Sequence, residues 1–259
     1  MNRSQLVLAD VDGPVARLTL NDPDRANVLS AAMMQALAEA LAAAAENERV
    51  RVIVLAAAGR IFCAGHDLGE LAGEATNQAH RALFAQCSAL MQQVVACRAP
   101  VIARVQGAAV AAGCQLVASC DLAYAAENAK FAVSGINLGL FCSTPGVAVG
   151  RAVGRKAALE MLLTGKLIEA ERAAEIGLVN AAVPADQLDA AVDAAADAIA
   201  AKPPDAIALG KAAFRRQIEA PLADAYEIAS AAMVENLTFP SAQGGIRGFL
   251  DRSAPAKGP

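Results

Sequence analysis

The chain opens with two short runs, each rich in apolar residues, on either side of a turn. Residues 6–8 and 16–20 have this strand-like pattern, and Asp12-Gly13 between them is a typical turn sequence. The pattern therefore predicts a β-hairpin. Beyond Ser30, apolar residues recur at helical spacing, so the next element is expected to be a helix with Ser30 as its N-cap.

Two later segments are predicted as buried strands, and the first of them is a continuous apolar run of the kind found in strands covered on both faces. They are Val52 to Leu55 and Val101 to Val105, and each leads through a turn of small residues toward a helical pattern, the second at 114–119. This alternation predicts an α/β fold with functional sites at the turns. From Arg151 onward the pattern is helical. We expect residues 1–200 to form the core and residues 201–259 a helical C-terminal extension.

Composition narrows the class of protein without identifying it. The 259 residues are 56% hydrophobic and 19% charged, which is typical of a folded globular protein, and the net charge of −4 predicts no nucleic-acid partner. No apolar run approaches the ~20 residues that a membrane span needs. Six cysteines without a C-x-x-C pair predict reduced thiols and no metal site. The start of the sequence has no signal-peptide pattern, so a cytoplasmic location is expected.

Two loops stand out as candidate ligand sites because they join strands to helices through small residues. They are residues 59–68 and residues 107–115. Small residues let the backbone approach a ligand closely, and the free N–H groups at a helix N-terminus attract an anion. Two such turns that faced each other could bind one developing oxyanion. The alternative interpretation is tight packing of strand on helix, with no ligand.

Residues 62–68 read FCAGHDL, which resembles the F-C-A-G-x-D-L signature of the enoyl-CoA hydratase/isomerase (crotonase) family. The resemblance implies an α/β fold in which a crotonase-type spiral of ββα turns is followed by a helical C-terminal trimerisation region. It also implies an acyl-CoA thioester as substrate, with coenzyme A bound as part of that substrate and no tightly bound cofactor. Further motifs follow the family order over nearly the whole chain: residues 21–27, 100–103, 107–113, 120–121, 162–165, 177–179 and 249–250.

The family's shared device is a pair of backbone N–H groups that stabilises a thioester enolate. By position, the resemblance assigns these donors to His66 and Ala112. Its hydratases also use two glutamates, but Gln115 and Gly135 occupy those positions here. A carboxamide cannot accept a proton near neutral pH, and each lost acid–base group typically costs ~10²–10⁴ in rate. An efficient classical hydratase is therefore not expected, and Gln115→Glu, further helped by Gly135→Glu, is predicted to raise hydration. The effect would reverse if Ala111, Ala112 and Cys114 narrow the pocket, because a buried carboxyl without partners prefers to be protonated.

The resemblance also implies contacts to the substrate from other residues. Arg25 would border the adenine end of CoA, while Arg252, with Phe249, would reach CoA from a neighbouring subunit; the alternative for both arginines is an ordinary solvated side chain. The His66 imidazole either acts as a general base or has no catalytic role, in which case only the backbone of His66 takes part. Asp67 is interpreted as an acceptor that fixes its loop. The remaining implied contacts are Ala26, Ala64, Gly65, Leu68, Gly113, Leu138 and Phe141.

Residues 114–121 and 139–146 resemble a divergent subgroup of the family, the enoyl-CoA hydratase domain-containing proteins. The leading hypothesis is an acyl-CoA enzyme, nominally an enoyl-CoA hydratase, that assembles as a homotrimer or a dimer of trimers. One alternative is an acyl-CoA binding protein with little or no turnover. The other is an isomerase, decarboxylase or thioesterase of the same fold.

Overall fold

The computed structural model describes residues 5–73 and 76–253, and the chain divides into two compact units, Met1–Ile199 and Ala200–Pro259. The described strands all lie in the first unit. They are β1 (Val7–Asp12), β2 (Val15–Leu20), β3 (Val52–Ala57), β4 (Val101–Val105), β5 (Ala109–Val110), β6 (Leu122–Ala126), β7 (Lys130–Ala132), β8 (Ile168–Glu169) and β9 (Ala181–Val183).

These strands form two sheets, one of six strands in the order β1-β2-β3-β4-β6-β9 and one of three in the order β5-β7-β8. The predicted hairpin is confirmed: β1 and β2 pair antiparallel, with Val7 opposite Leu20, and Gly13 turns between them at a φ of +56°. The other pairs of the large sheet are parallel. All six residues of β3 are buried, as expected for a strand covered on both faces.

Helices account for much of the rest of the chain that the structure describes. They are α1 (Ala31–Glu46), α2 (Leu68–Ala72), α3 (Asn77–Ala96), α4 (Ala112–Ser119), α5 (Ser143–Ala152), α6 (Arg155–Thr164), α7 (Ala170–Glu175), α8 (Leu188–Ala200), α9 (Pro204–Gln217), α10 (Leu222–Leu237) and α11 (Pro240–Ser253), with single 3₁₀ turns at Pro23–Arg25, Ser134–Leu138 and Ala185–Gln187.

Helix α1 begins where its sequence predicts. The Ser30 hydroxyl accepts a hydrogen bond from the N–H of Met33, which satisfies one of the free donors of the first turn. Helix α3 is joined to α1 by two side-chain amides, because Gln86 donates to the carbonyl of Ala31 and Gln93 to that of Ala38. The two helices therefore form one layer beside the sheet, and α3 lies close to the start of α1.

Three local predictions need correction. Helix α4 begins at Ala112 rather than at Cys114, so the small residues read as a turn form its first turn. Helix α5 was not predicted, because Pro145 and two glycines lower its helix propensity. The helix forms nevertheless, since a proline in the first turn removes no intrahelical hydrogen bond. The strands β5, β7, β8 and β9 are too short for alternation to reveal them.

The second unit consists of α9, α10 and α11. Its helices leave many large apolar side chains exposed within the isolated chain. Among the described residues, no helix has both the length and the apolar character needed to cross a membrane. The exposed apolar side chains of this unit are Phe214, Ile218, Leu222, Tyr226, Met233, Val234, Leu237, Ile246, Phe249 and Leu250.

Candidate active site

The two loops singled out in the sequence lie against each other. A parallel β-bridge pairs Cys63 with Ala109, so the loop after β3 runs alongside β5. The N–H of Cys63 donates to the carbonyl of Ala108 at 3.1 Å, and the N–H of Val110 donates to the carbonyl of Cys63 at 2.9 Å. These bonds fix the position of the first loop relative to the start of α4.

Two glycines allow this close approach. A Cβ atom added at Gly113 would overlap the carbonyl oxygen of Cys63 and lie 2.8 Å from its Cβ. Gly65 has a φ of +97°, and a Cβ there would lie 3.0 Å from the Cβ of Ala111 and 3.4 Å from the nitrogen of Ala112. The sequence therefore places glycine where the two backbones touch, and His66 and Ala112 lie next to these contacts.

The backbone N–H groups of His66 and Ala112 have no acceptor carbonyl within residues 5–73 and 76–253. Ala112 is the first residue of α4, where the N–H has no partner inside the helix and the positive end of the helix dipole is found. Backbone N–H groups held on two adjacent loops are a general means of stabilising a developing oxyanion. Both residues assigned to this role by sequence resemblance thus lie at one site.

The backbone at Ala111 is strained. This residue precedes α4 with φ 50° and ψ −116°, a conformation that glycine adopts far more readily than alanine. Its N–H donates to the carbonyl of Ala132 at 2.8 Å, which holds the turn in place. The strain lies directly beside the free N–H of Ala112.

We expect Ala111→Gly to raise the free energy of unfolding by about 1 kcal/mol, because the relief of strain exceeds the added entropy of glycine in the unfolded chain. Urea denaturation checks this. Ala118→Gly, within the same helix, is the matched control and should lower stability by about 1 kcal/mol. Equal losses in the two variants would contradict the strain at Ala111.

The His66 imidazole is partly buried between α3 and the segment that precedes α1. Its Nδ1 lies 3.3 Å from the carbonyl oxygen of Leu29, and its ring meets the ring of Phe84 edge-on with centroids 5.5 Å apart. Burial lowers the pKa of His66 from its ordinary value, against smaller opposing effects from the Leu29 carbonyl and Glu70. The imidazole is therefore neutral at neutral pH.

Asp67 fixes the loop, as the sequence predicted, and it does so through both carboxylate oxygens. Oδ1 accepts from the N–H of Gly69 at 2.9 Å and caps α2, while Oδ2 accepts from the Arg25 guanidinium. Ala26 joins the same cluster, since its carbonyl accepts from the N–H of Ala64 at 3.1 Å. The Arg25 side chain remains 54% exposed, so part of its guanidinium stays open to a ligand.

Asn27 supports the site, and the sequence reasoning did not single it out. It is fully buried with φ 51°; its amide nitrogen donates to the carbonyls of Ala58 and Ile61, and its amide oxygen accepts from the N–H of Asp22. These bonds tie the segment before α1 to the chain that leads into residues 62–68. The available signal was the residue type, because asparagine is enriched among the residues that adopt a left-handed backbone conformation.

Gln115 lies on the inner side of α4 and is only 4% exposed. Its Oε1 is 4.0 Å from the Sγ of Cys87 on α3, and in the described part of the chain no cationic side chain is hydrogen-bonded to it. The carboxamide therefore sits in an apolar, thiol-lined environment. This position cannot stabilise a carboxylate by charge.

Gly135 cannot receive a glutamate, which corrects the expectation for Gly135→Glu. A Cβ added there would overlap the carbonyl oxygen of Leu140 and lie 2.8 Å from the Sγ of Cys142. The segment folds back at this point because the N–H of Leu140 donates to the carbonyl of Gly135 and the N–H of Gly135 lies 3.2 Å from that Sγ. The backbone fills the space that a second acid–base side chain would need.

The structure also reverses the expectation for Gln115→Glu. Burial without a cationic partner should raise the pKa of the introduced carboxyl far above ~4.3, so at neutral pH it holds a proton and adds no base. A folded-state pKa raised in this way leaves stability unaffected at low pH and lowers it as pH rises through that pKa. We expect the variant to lose stability between about pH 5 and about pH 8, with no gain in hydration.

Urea denaturation at both pH values measures this effect, and Gln115→Met is the uncharged control. The loss should appear in the glutamate variant and be absent in the methionine variant. Equal stability of the glutamate variant and the wild type at the higher pH would contradict the apolar environment assigned to Gln115.

The cysteines near these residues are free thiols. Burial raises the pKa of Cys63 and of Cys114 to about 12 and that of Cys87 to about 11. Burial also raises the pKa of Cys142, against a smaller opposing contribution from the Gly135 N–H. A protonated thiol is a poor nucleophile, so these residues give no support to a covalent mechanism. Within the described residues no group of His, Cys, Asp and Glu side chains could hold a metal ion.

The remaining implied substrate contacts are surface residues. Leu68 is the first residue of α2 and is exposed. Leu138 ends the 3₁₀ turn that contains Gly135, Phe141 follows that turn, and both are exposed. Phe249 and Arg252 belong to α11 of the second unit. The structure thus brings together the residues around the two loops, while the roles of these outer positions stay predictions.

A two-sheet α/β core, in which the loops 59–68 and 107–115 are in contact, and a helical C-terminal unit define a crotonase-type fold. The family model for enoyl-CoA hydratase/isomerase matches residues 10–257, and the chain belongs to that family. It is 52% identical, with a TM-score of 0.94, to a solved enoyl-CoA hydratase of Mycobacterium smegmatis, over 96% of this chain and 97% of the other. The predicted family and fold class are confirmed.

Relatives from the predicted subgroup are also similar. The chain is 45% identical to rat enoyl-CoA hydratase domain-containing protein 3, mitochondrial, over 93% of this chain and 80% of the relative. The solved human enoyl-CoA hydratase domain-containing protein 3 is 42% identical with a TM-score of 0.93, covering 97% of this chain and 99% of that chain. The rat, frog and human relatives are named as mitochondrial, so the prediction of a cytoplasmic location is wrong by this comparison.

Proposed function

We propose that this protein binds acyl-CoA thioesters and adds water to enoyl-CoA without either of the usual glutamates. The observation that carries the proposal is the pair of backbone N–H groups, at His66 and Ala112, that face the same site without an acceptor carbonyl in the described chain. A thioester carbonyl bound between them would gain negative charge as the enolate forms. Its interaction with both donors and with the N-terminus of α4 would strengthen at that moment.

The arrangement favours enolate chemistry over thioester hydrolysis by a protein nucleophile. The thiols at the site have raised pKa values, and Gln115 cannot act as a base. Hydration is consistent with the enoyl-CoA hydratase name of the solved relative at 52% identity. Acyl-CoA binding with little turnover is the alternative, favoured by the absence of both family carboxylates at Gln115 and Gly135.

Two measurements on the intact protein separate these functions. Calorimetry with butyryl-CoA, a saturated thioester, tests binding, and loss of the conjugated thioester absorbance of crotonyl-CoA tests hydration. We expect both signals. Binding without hydration would favour the alternative function, and the absence of binding to any acyl-CoA at millimolar concentration would contradict both.

We propose in addition that the chain forms trimers, or dimers of trimers, through the helical C-terminal region. The support is the number of large apolar side chains that α9 to α11 expose, since such surfaces on an isolated chain mark sites of association. Light scattering at micromolar concentration tests this and should give a mass of three or six chains. A monomer would contradict the proposal.

A further inference from the structure

The His66 imidazole carries a buried nitrogen whose hydrogen-bonding capacity is unused. Nδ1 faces the carbonyl oxygen of Leu29, which only accepts, so Nδ1 holds the proton of the neutral ring. Nε2 is then the nitrogen with the free lone pair. It is buried and has no hydrogen-bond partner among the residues that the structure describes. A buried acceptor without a partner lowers stability. A ligand atom that donates a hydrogen bond to Nε2 would explain why the chain keeps this acceptor.

The ring is held in place by neighbours on two sides. The Leu29 carbonyl fixes the tautomer, and the N–H of Leu29 donates to the carbonyl of Gly65 at 2.8 Å, which ties the same backbone segment to the residue before His66. Phe84 of α3 packs against the ring with an interplanar angle of 89°. A base whose other nitrogen is oriented by an acceptor is the arrangement found where imidazole moves protons.

The position of the ring relative to the two loops links it to the reacting carbons. His66 also supplies one of the free N–H groups, so a thioester carbonyl bound there brings its α- and β-carbons near the imidazole of the same residue. Phe84 and Cys87 lie three residues apart on one face of α3, and the Cys87 thiol is the neighbour of Gln115. One face of α3 therefore contacts both the His66 imidazole, through Phe84, and Gln115, through Cys87.

We infer that Nε2 of His66 takes the proton from the water that adds to the enoyl thioester, an inference that rests on the proposed function. The water oxygen bonds to the β-carbon as its proton passes to Nε2, and the electron pair of the carbon–carbon double bond moves onto the carbonyl oxygen. The imidazolium then returns the proton to the α-carbon as the carbonyl re-forms. One water is added, and the ring ends neutral.

The surroundings of the ring suit this exchange. Burial disfavours the imidazolium before the enolate forms, and Glu70 of α2 opposes this only in part. When the enolate forms, its negative oxygen lies against the N–H of the same residue. The imidazolium then appears beside an opposite charge, which offsets its burial. Within the described chain no protein donor competes for the Nε2 lone pair, so it stays available to the reacting water.

Three substitutions at His66 separate a catalytic ring from a merely structural one, and all keep the backbone N–H. His66→Asn places an amide nitrogen where Nδ1 lies and keeps a donor toward Leu29, but it has no atom at the Nε2 position. His66→Gln reaches the Nε2 position with an oxygen that can accept a hydrogen bond but cannot take a proton at neutral pH. His66→Leu fills the space with an apolar side chain.

We expect all three variants to lower kcat for crotonyl-CoA hydration by about 10²-fold or more. The dissociation constant of butyryl-CoA should change by less than about threefold, because the oxyanion donors remain. His66→Leu should unfold at the same urea concentration as the wild type or a higher one, since it removes an unsatisfied acceptor.

Wild-type kcat in His66→Asn or His66→Leu would overturn the inference and leave the proposed function standing. Parallel loss of butyryl-CoA affinity and urea stability in His66→Leu would also overturn it, because the ring would then be structural. A wild-type protein that binds butyryl-CoA without hydrating crotonyl-CoA would overturn the inference together with the hydratase proposal.

Discussion

Replacing Gly113 with alanine is expected to lower the free energy of unfolding by about 3 kcal/mol and hydration by about 10²–10³-fold. The new Cβ would overlap the carbonyl oxygen of Cys63, which accepts from the N–H of Val110, and Gly113 itself is part of α4, so neither backbone can move at low cost. The start of α4 must then shift away from the other loop. This movement would separate the N–H groups of Ala112 and His66, which the proposed function requires to bind one carbonyl oxygen together.

Urea denaturation and steady-state hydration of crotonyl-CoA measure the two effects. Gly150→Ala is the matched control, because Gly150 is an exposed residue of α5 and an added Cβ there meets nothing within 4 Å. It should raise stability by about 1 kcal/mol through helix propensity and leave activity unchanged. Wild-type stability and activity in Gly113→Ala would show that the two loops are not in contact as described.

The second large change in the free energy of unfolding is expected at Asn27, which lies outside the loops 59–68 and 107–115. Asn27→Ala removes three hydrogen bonds at once and leaves the Ala58 carbonyl and the Asp22 N–H without this partner, while the Ile61 carbonyl keeps only the 3.4 Å hydrogen bond from Gln106. At about 1 kcal/mol for each bond, the loss is about 3 kcal/mol. The φ of 51° adds strain for alanine.

Asn27→Gly separates these two causes, because glycine loses the same hydrogen bonds but accepts the positive φ. We expect Asn27→Gly to be destabilised less than Asn27→Ala, with both far less stable than the wild type in urea denaturation. A change below about 0.5 kcal/mol in both variants, the range of an ordinary surface substitution, would contradict the supporting role of Asn27.

Local patterns were enough to predict the elements that depend on local physics. The hairpin around Gly13 and the Ser30 cap of α1 follow from turn and cap chemistry within a few residues. The strand β3 is a continuous apolar run because both of its faces are covered. The family resemblance then pointed to His66 and Ala112, which lie on loops that the structure brings into contact.

What the sequence left out depends on contacts between distant segments. The obstacle at Gly135 is the carbonyl of Leu140, which comes close only because the chain folds back there. Asn27 owes its role to carbonyls more than 30 residues away. The unused lone pair on His66 depends on which nitrogen faces Leu29 and on the packing of α3, and no spacing along the chain reports either.

The central claim is that a thioester carbonyl binds between two backbone N–H groups, and a crystal structure of the protein with bound butyryl-CoA tests it most directly. The account predicts the thioester oxygen at about 2.7–3.2 Å from the backbone nitrogens of both His66 and Ala112. A thioester bound elsewhere, or an oxygen that reaches neither nitrogen, would contradict it.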